Sequence, residues 1–216
     1  MPKHSSPEER EEGSHEGIIS GVGSSLTFDS TDSAIKPHNG FRSALEAEIV
    51  GVWGDYNYLR FSYINSYYAQ LWRRGIMKYR WDLRFIDPIW KTHSPSDIPL
   101  SERFFIGGLN SVRGYKDFDL GPHFKGGDPE GGISTTVLSS EYLQELFPFM
   151  DAFVFADAGS ISMHRFAFST FRLSTGFGAR LELINRMPVI LGMGFPVNRD
   201  QHSEVRRFFF SMGGQF

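Results

Sequence analysis

The sequence predicts an all-β fold: an antiparallel transmembrane β-barrel portion of about nine strands. Three observations carry this expectation. Apolar and polar residues alternate with a period of two, the period of a strand and not of a helix. The alternating segments run to roughly 10–13 residues, where soluble strands favour about 5–6 and a strand crossing a bilayer needs about 9–11. The polar face carries charges of both signs, as a wet lumen would. On the other face, rings gather near segment ends (Tyr67, Tyr68, Trp72, Trp81, Phe85, Trp90), as an interfacial girdle does. A soluble β-sandwich alternates too, but its strands are shorter, so the balance favours the membrane barrel.

The strands follow in order. Ile18–Phe28 opens the pattern. Gly40–Val50 places Phe41, Ser43, Leu45, Ala47 and Ile49 on one face against Arg42, Ala44, Glu46 and Glu48. Tyr56–Tyr68 follows. Ile76–Ile86 alternates most cleanly, with Met77, Tyr79, Trp81, Leu83 and Phe85 against Lys78, Arg80, Asp82 and Arg84. Then come Ile133–Leu143, Phe149–Ile161, Thr170–Ile184, Met187–Phe195 and Glu204–Phe216. Leu45, Trp81, Leu173 and Phe177 are expected to face lipid, and Glu46, Arg80, Arg172 and Arg180 the interior. Turn residues separate the strands in "STDSAIKPHNG", "GDYN", "NRMP" and "PVNRDQHS". No segment reads as a helix; "YLQELF" fits a strand end before Pro148. One connection, 87–132, is far longer than the rest, and loops of that length are usually functional.

Composition narrows the function. The chain has 216 residues, a net charge of -3 and no cysteine, so nothing points to nucleic acid and no disulfide or thiolate metal site is possible. Seven histidines are scattered without metal-ligand spacing, and no nucleophile–base signature is present. The expectation is no metal, no cofactor and no enzyme. The polar segment 1–16, "MPKHSSPEEREEGSHE", reads as disordered. It lacks the apolar core of a secretory signal, so an export signal is expected to lie outside this sequence. The mean hydropathy of -0.27 is compatible with a membrane barrel, whose strands alternate wet and lipid faces.

The stretch "RFFIGGLNSVRGYKDFDLGPHF" raises the main functional question, because it sets Arg113 at the centre of a glycine-rich loop. Two readings stand. If the loop folds inward, Arg113 can reach Glu141 and Asp157, and a planar guanidinium suits paired carboxylates. Otherwise Arg113 is a solvated loop residue, Glu141 a strand-face charge and Asp157 a turn former before Gly159. Spacing alone favours the second.

The order of motifs changes the balance. "FFIGGLNSVRGY", then "SSEYL", "FVFADAGSI", "STGFGARLEL" and a terminal aromatic strand resemble the C-terminal barrel of the BamA superfamily, over about 17–216. "SLTFDSTDSAIKPHNGFRSALEAEI" also resembles that family's strand, proline-containing turn and next strand. The resemblance implies a loop folded back into the barrel, with Val112, Arg113, Gly114 and Tyr115 as its tip and latch. Glu141 and Asp157 would then be its partners on the inner wall. It also implies a C-terminal targeting signal in Phe208, Phe210 and Phe216.

A complete barrel of that family has more strands and carries POTRA domains ahead of it. What is present resembles the C-terminal portion, an incomplete barrel with a long inward-folding loop. The resemblance implies bacterial outer-membrane localisation and a role in inserting and folding β-barrel proteins, by strand pairing and a latched loop rather than catalysis. The implied partners are outer-membrane lipid, nascent β-barrel proteins, and assembly-machinery subunits or the remaining part of the barrel. The alternatives are a translocation or secretion barrel of the same superfamily (two-partner secretion, TamA-type or patatin-fused) and a soluble β-sandwich binding module.

Overall fold

The computed structural model describes residues 17–166, 170–182, 188–199 and 202–212. Nine strands form one antiparallel sheet: β1 (Gly21–Asp29), β2 (Gly40–Val50), β3 (Tyr58–Trp72), β4 (Gly75–Pro88), β6 (Ser134–Phe147), β7 (Met150–Ser162), β8 (Arg172–Glu182), β9 (Pro188–Pro196) and β11 (Phe208–Met212). Each pairs with its neighbour in chain order, so β1 and β11 are the two edges of an open sheet. A second, two-stranded sheet pairs β5 (Gly114–Tyr115) with β10 (Val205–Arg206). The order is that of an up-and-down meander, which needs only local pairing. It is a single sheet and not the two packed layers of a sandwich.

Several strands are longer than the alternation suggested. β3 runs on to Trp72 and β6 to Phe147, each through an irregularity in register near its end. The expected last strand, by contrast, divides. Val205–Arg206 joins the small sheet, and among the described residues Phe208–Met212 continues the large one. The expected ends at 183–184, 187 and 213–216, like the segment 1–16, lie outside the described residues.

Register fixes which side chains share a face. Glu141 stands opposite Lys78 and Phe155, and Asp157 opposite Ser139 and Ser174. The same parity carries Arg80, Arg172, Arg180 and Glu46 to this inner face. Leu45, Trp81, Leu173 and Phe177 fall on the outer one. Outer rings pair across strands: Phe61 stacks on Phe85 at 4.8 Å, Phe41 on Trp81 at 5.7 Å, and Phe177 lies 6.2 Å from Phe195. Tyr68 departs from the expected girdle. Its neighbour Tyr67 takes the outer face, so a period of two sends Tyr68 inward, where the Lys78 ammonium sits 5.7 Å from its ring.

The buried apolar residues lie between the inner face and the long β4–β6 connection. Ile106, Val112, Tyr115 and Leu120 of the connection pack with Val137 of β6. Ile98 of the connection packs with Val50, Tyr58, Ile86 and Ile133. A third cluster, Ile76, Leu143, Phe153, Phe155, Ile190 and Phe209, lines the wall itself. Two short 3-10 turns, Pro95–Asp97 and Leu100–Glu102, shape the connection near its start.

Candidate functional site

The β4–β6 connection reaches the inner wall through a tight turn at its tip. Gly107 N–H donates to Ser111 Oγ at 2.7 Å, and Gly108 N–H donates to the Val112 carbonyl at 3.1 Å. Val112 is wholly buried and sits where Gly159 of β7 leaves space; a Cβ there would come 2.4 Å from a Val112 methyl. Burying such a side chain contributes about 1.5–3 kcal/mol. Arg113 follows directly, so the valine anchor delivers the guanidinium to the wall.

Arg113 makes a dense set of contacts. Its Nε donates to Asp157 Oδ2 at 2.8 Å and its Nη2 to Asp157 Oδ1 at 2.9 Å, a two-pronged grip on one carboxylate. Its own backbone N–H donates to Asp157 Oδ2 at 3.1 Å. Nη1 donates to Glu141 Oε2 at 2.5 Å. Nη2 also donates to Ser139 Oγ at 3.2 Å, and the Ser139 hydroxyl donates to Asp157 Oδ1 at 2.7 Å. The guanidinium carbon lies 3.7 Å from the centre of the Phe155 ring, a cation–π contact. Burial alone would lower the Arg113 pKa. The hydrogen bonds and charges of Asp157 and Glu141 more than reverse that and hold it above its ordinary value.

Gly114 and Tyr115 complete the tip. Gly114 has φ +96°, a conformation that favours glycine, and its backbone lies against Gly194 of β9. Tyr115 is buried, and its hydroxyl donates to the Asn198 carbonyl at 3.2 Å. Lys116 N–H donates to the Glu204 carbonyl at 3.0 Å, and Glu204 N–H donates to Asp119 Oδ2 at 2.6 Å. The tip is therefore held by β6 and β7 on one side and by the β9–β11 connection on the other.

Several contributing residues were not singled out from the sequence. Ser139 and Phe155 each stand two residues before a named acid, on the same face of the same strand; that spacing is the signal that could have found them. Arg103 is buried and donates to the carbonyls of Ile98, Glu130 and Ser96, which orders the start of the connection from within. Glu102 joins that region to β3 through an ion pair with Arg60 and a 2.7 Å hydrogen bond from the Tyr58 hydroxyl. Phe208 and Phe210 of β11 face outward and are exposed, while Phe209 turns inward against the Phe155 ring at 5.8 Å. Phe216 lies outside the described residues. Among the described residues, no group of three or more His, Cys, Asp or Glu side chains could hold a metal ion.

A profile of the Omp85 superfamily domain matches residues 3–216. The chain belongs to the Omp85 superfamily. That membership places it in the bacterial outer membrane. Two curated relatives in this superfamily are outer membrane protein assembly factors BamA. The chain is 29% identical over 207 residues to that of Nitratidesulfovibrio vulgaris, covering 88% of this chain and 25% of the relative. It is 26% identical over 221 residues to that of Neisseria meningitidis serogroup B, covering 86% and 27%. The chain thus spans about a quarter of the length of these curated relatives. Its fold is similar to the crystal structure of BamA from Haemophilus ducreyi lacking POTRA domains 1–3, with a TM-score of 0.80 over 91% of this chain and 42% of that one at 16% identity.

Proposed function

We propose that this chain forms the C-terminal portion of an outer-membrane barrel that inserts and folds other β-barrel proteins. Residues 17–216 are the barrel portion, and 87–132 are a plug latched into the lumen by Val112, Arg113, Gly114 and Tyr115. The observation that carries the reading is the grip of Arg113 on Asp157 and Glu141, inside an open sheet that resembles a BamA barrel. The latch keeps the plug ordered against the wall. Work on a client is done by strand pairing at a sheet edge, where backbone N–H and C=O groups stand free to template a new strand, and not by bond chemistry. The partners are outer-membrane lipid, nascent β-barrel proteins, and assembly-machinery subunits or the rest of the barrel. Phe208, Phe210 and Phe216 act as the C-terminal signal by which the chain is itself recognised for insertion.

The test is complementation in the native host. Cells in which Arg113→Ala replaces the wild-type chain should accumulate unfolded outer-membrane proteins and lose folded, heat-modifiable ones. Unchanged folded barrels together with loss of one secreted substrate would instead identify a secretion barrel of the same superfamily.

A further inference from the structure

The turn between β1 and β2, residues 30–39, does not stay over its own strands. Lys36 Nζ lies 2.9 Å from Glu145, 3.1 Å from Asp151 and 3.8 Å from Glu182. His38 Nε2 lies 3.2 Å from Glu145. The three carboxylates stand on β6, β7 and β8, all on the inner face. Four strand-to-strand steps separate β2 from β7, about 19 Å along the sheet. No side chain spans that distance, so the contact exists because the sheet curls and the turn folds across its mouth.

The turn is also built for this position. Asp32 Oδ1 accepts from the amides of His38 and Asn39 at 2.8 and 3.2 Å, and Gln70 N–H of β3 donates to Asn39 Oδ1 at 3.0 Å. Pro37 stiffens the backbone between the two basic side chains. Ile35 points away and is 75% exposed, whereas Asp151 is 1% exposed. Burial alone would lower the Lys36 pKa; the hydrogen bonds from its ammonium to Glu145 and Asp151 more than reverse this.

We propose that the β1–β2 turn is a strap that closes the short-turn mouth of the lumen, held by Lys36 on an acidic rim of Glu145, Asp151 and Glu182. It rests on the barrel reading, since a mouth requires a lumen. Strap and plug share the inner wall but lie apart: Glu145 and Glu141 are four residues apart on β6, about 13 Å. A lysine ammonium is a compact point charge with three donors, suited to carboxylates that arrive from three strands. It forms no fork, so its contacts can exchange one at a time and the strap can open while Arg113 stays bound.

The test uses the chain in outer-membrane vesicles and a water-soluble carbodiimide, which joins an amine to a carboxylate only in direct contact. Mass spectrometry is expected to find Lys36 linked to Glu145 or Asp151, with complete loss of the link in Lys36→Arg. Absence of the link in the wild-type chain, or linkage of Lys36 to acids of its own turn alone, overturns the strap. A second measurement is ion conductance in planar bilayers. Lys36→Met should raise it severalfold while protease access to the plug tip stays unchanged; unchanged conductance, or a loosened tip, overturns the closure. If the chain remains in solution without detergent, the barrel reading fails, and the carbodiimide link still reports on the contact itself.

Discussion

Gly114 and Gly194 meet backbone to backbone: a Cβ on Gly194 would come 2.6 Å from Gly114 N, and a Cβ on Gly114 would come 2.9 Å from the Gly194 carbonyl carbon. The tip of the long loop thus lies on β9 with no side chain between them. Gly194→Ala is expected to push the tip off the wall, at a cost of about 1–3 kcal/mol. Proteinase K should then cut the loop severalfold faster in intact vesicles, and an unaltered cleavage rate would contradict the close approach.

Arg113 and Asp157 act as a unit. Removing either leaves the other charged and buried, which costs about 3–5 kcal/mol. Arg113→Lys should lose most of this, because a lysine cannot occupy both Asp157 oxygens and Glu141 together. Asp157→Asn should cost a comparable amount, and the double variant clearly less than the sum. Heat-modifiable migration of the barrel across temperature supplies the readout; strict additivity would show that the two side chains are not coupled.

Asn65 stands on the outer face, opposite Ser43 and Trp81, almost fully buried, and its amide nitrogen and oxygen find no hydrogen-bond partner. Asn65→Leu should therefore stabilise the sheet by about 1–2 kcal/mol, since it removes an unsatisfied polar group. A lowered transition temperature in detergent would show that the amide has a use the folded chain conceals.

The outer face should be wetted by lipid. Trp81 and Leu173 lie on it, so Trp81 fluorescence should be quenched by brominated acyl chains, and a spin label at Leu173→Cys should report a hydrocarbon environment. A label at Arg172→Cys should report water. The chain has no native cysteine, which makes the labelling specific. An aqueous signal at Leu173 would reverse the assignment of faces.

The strands were legible because a period of two is imposed by backbone pleating and survives any tertiary context; Gly40–Val50 was read to the residue. Strand ends were less legible. Where β3 and β6 run on past the clean alternation, register shifts break the pattern that marks them. Tyr68 was misplaced because the eye groups Tyr67 and Tyr68 as one aromatic patch, whereas pleating must separate them. Arg113, Glu141 and Asp157 could be associated because motif order suggested it; the stacking of Arg113 on Phe155 could not, since it depends on how the loop enters the sheet. The reach of Lys36 to Asp151 spans 115 positions and arises from curvature, which no local pattern encodes.

The described partners of Arg113, Gly114, Tyr115 and Lys116 share one property. Ser139, Glu141, Phe155, Asp157, Gly194, Asn198 and Glu204 all come after Arg113, Gly114, Tyr115 and Lys116 in the chain. When this segment first leaves the ribosome, none of these partners has yet been made, although the strands before it already offer Arg60 and Tyr58 to Glu102 and Arg80 to the Asn110 carbonyl. The segment itself is fastened only once the last strands lie in place. A seated tip is therefore a built-in record that the C-terminal end of the sheet has been laid down in register, and a protease that cuts the loop would selectively remove chains that never reached that point.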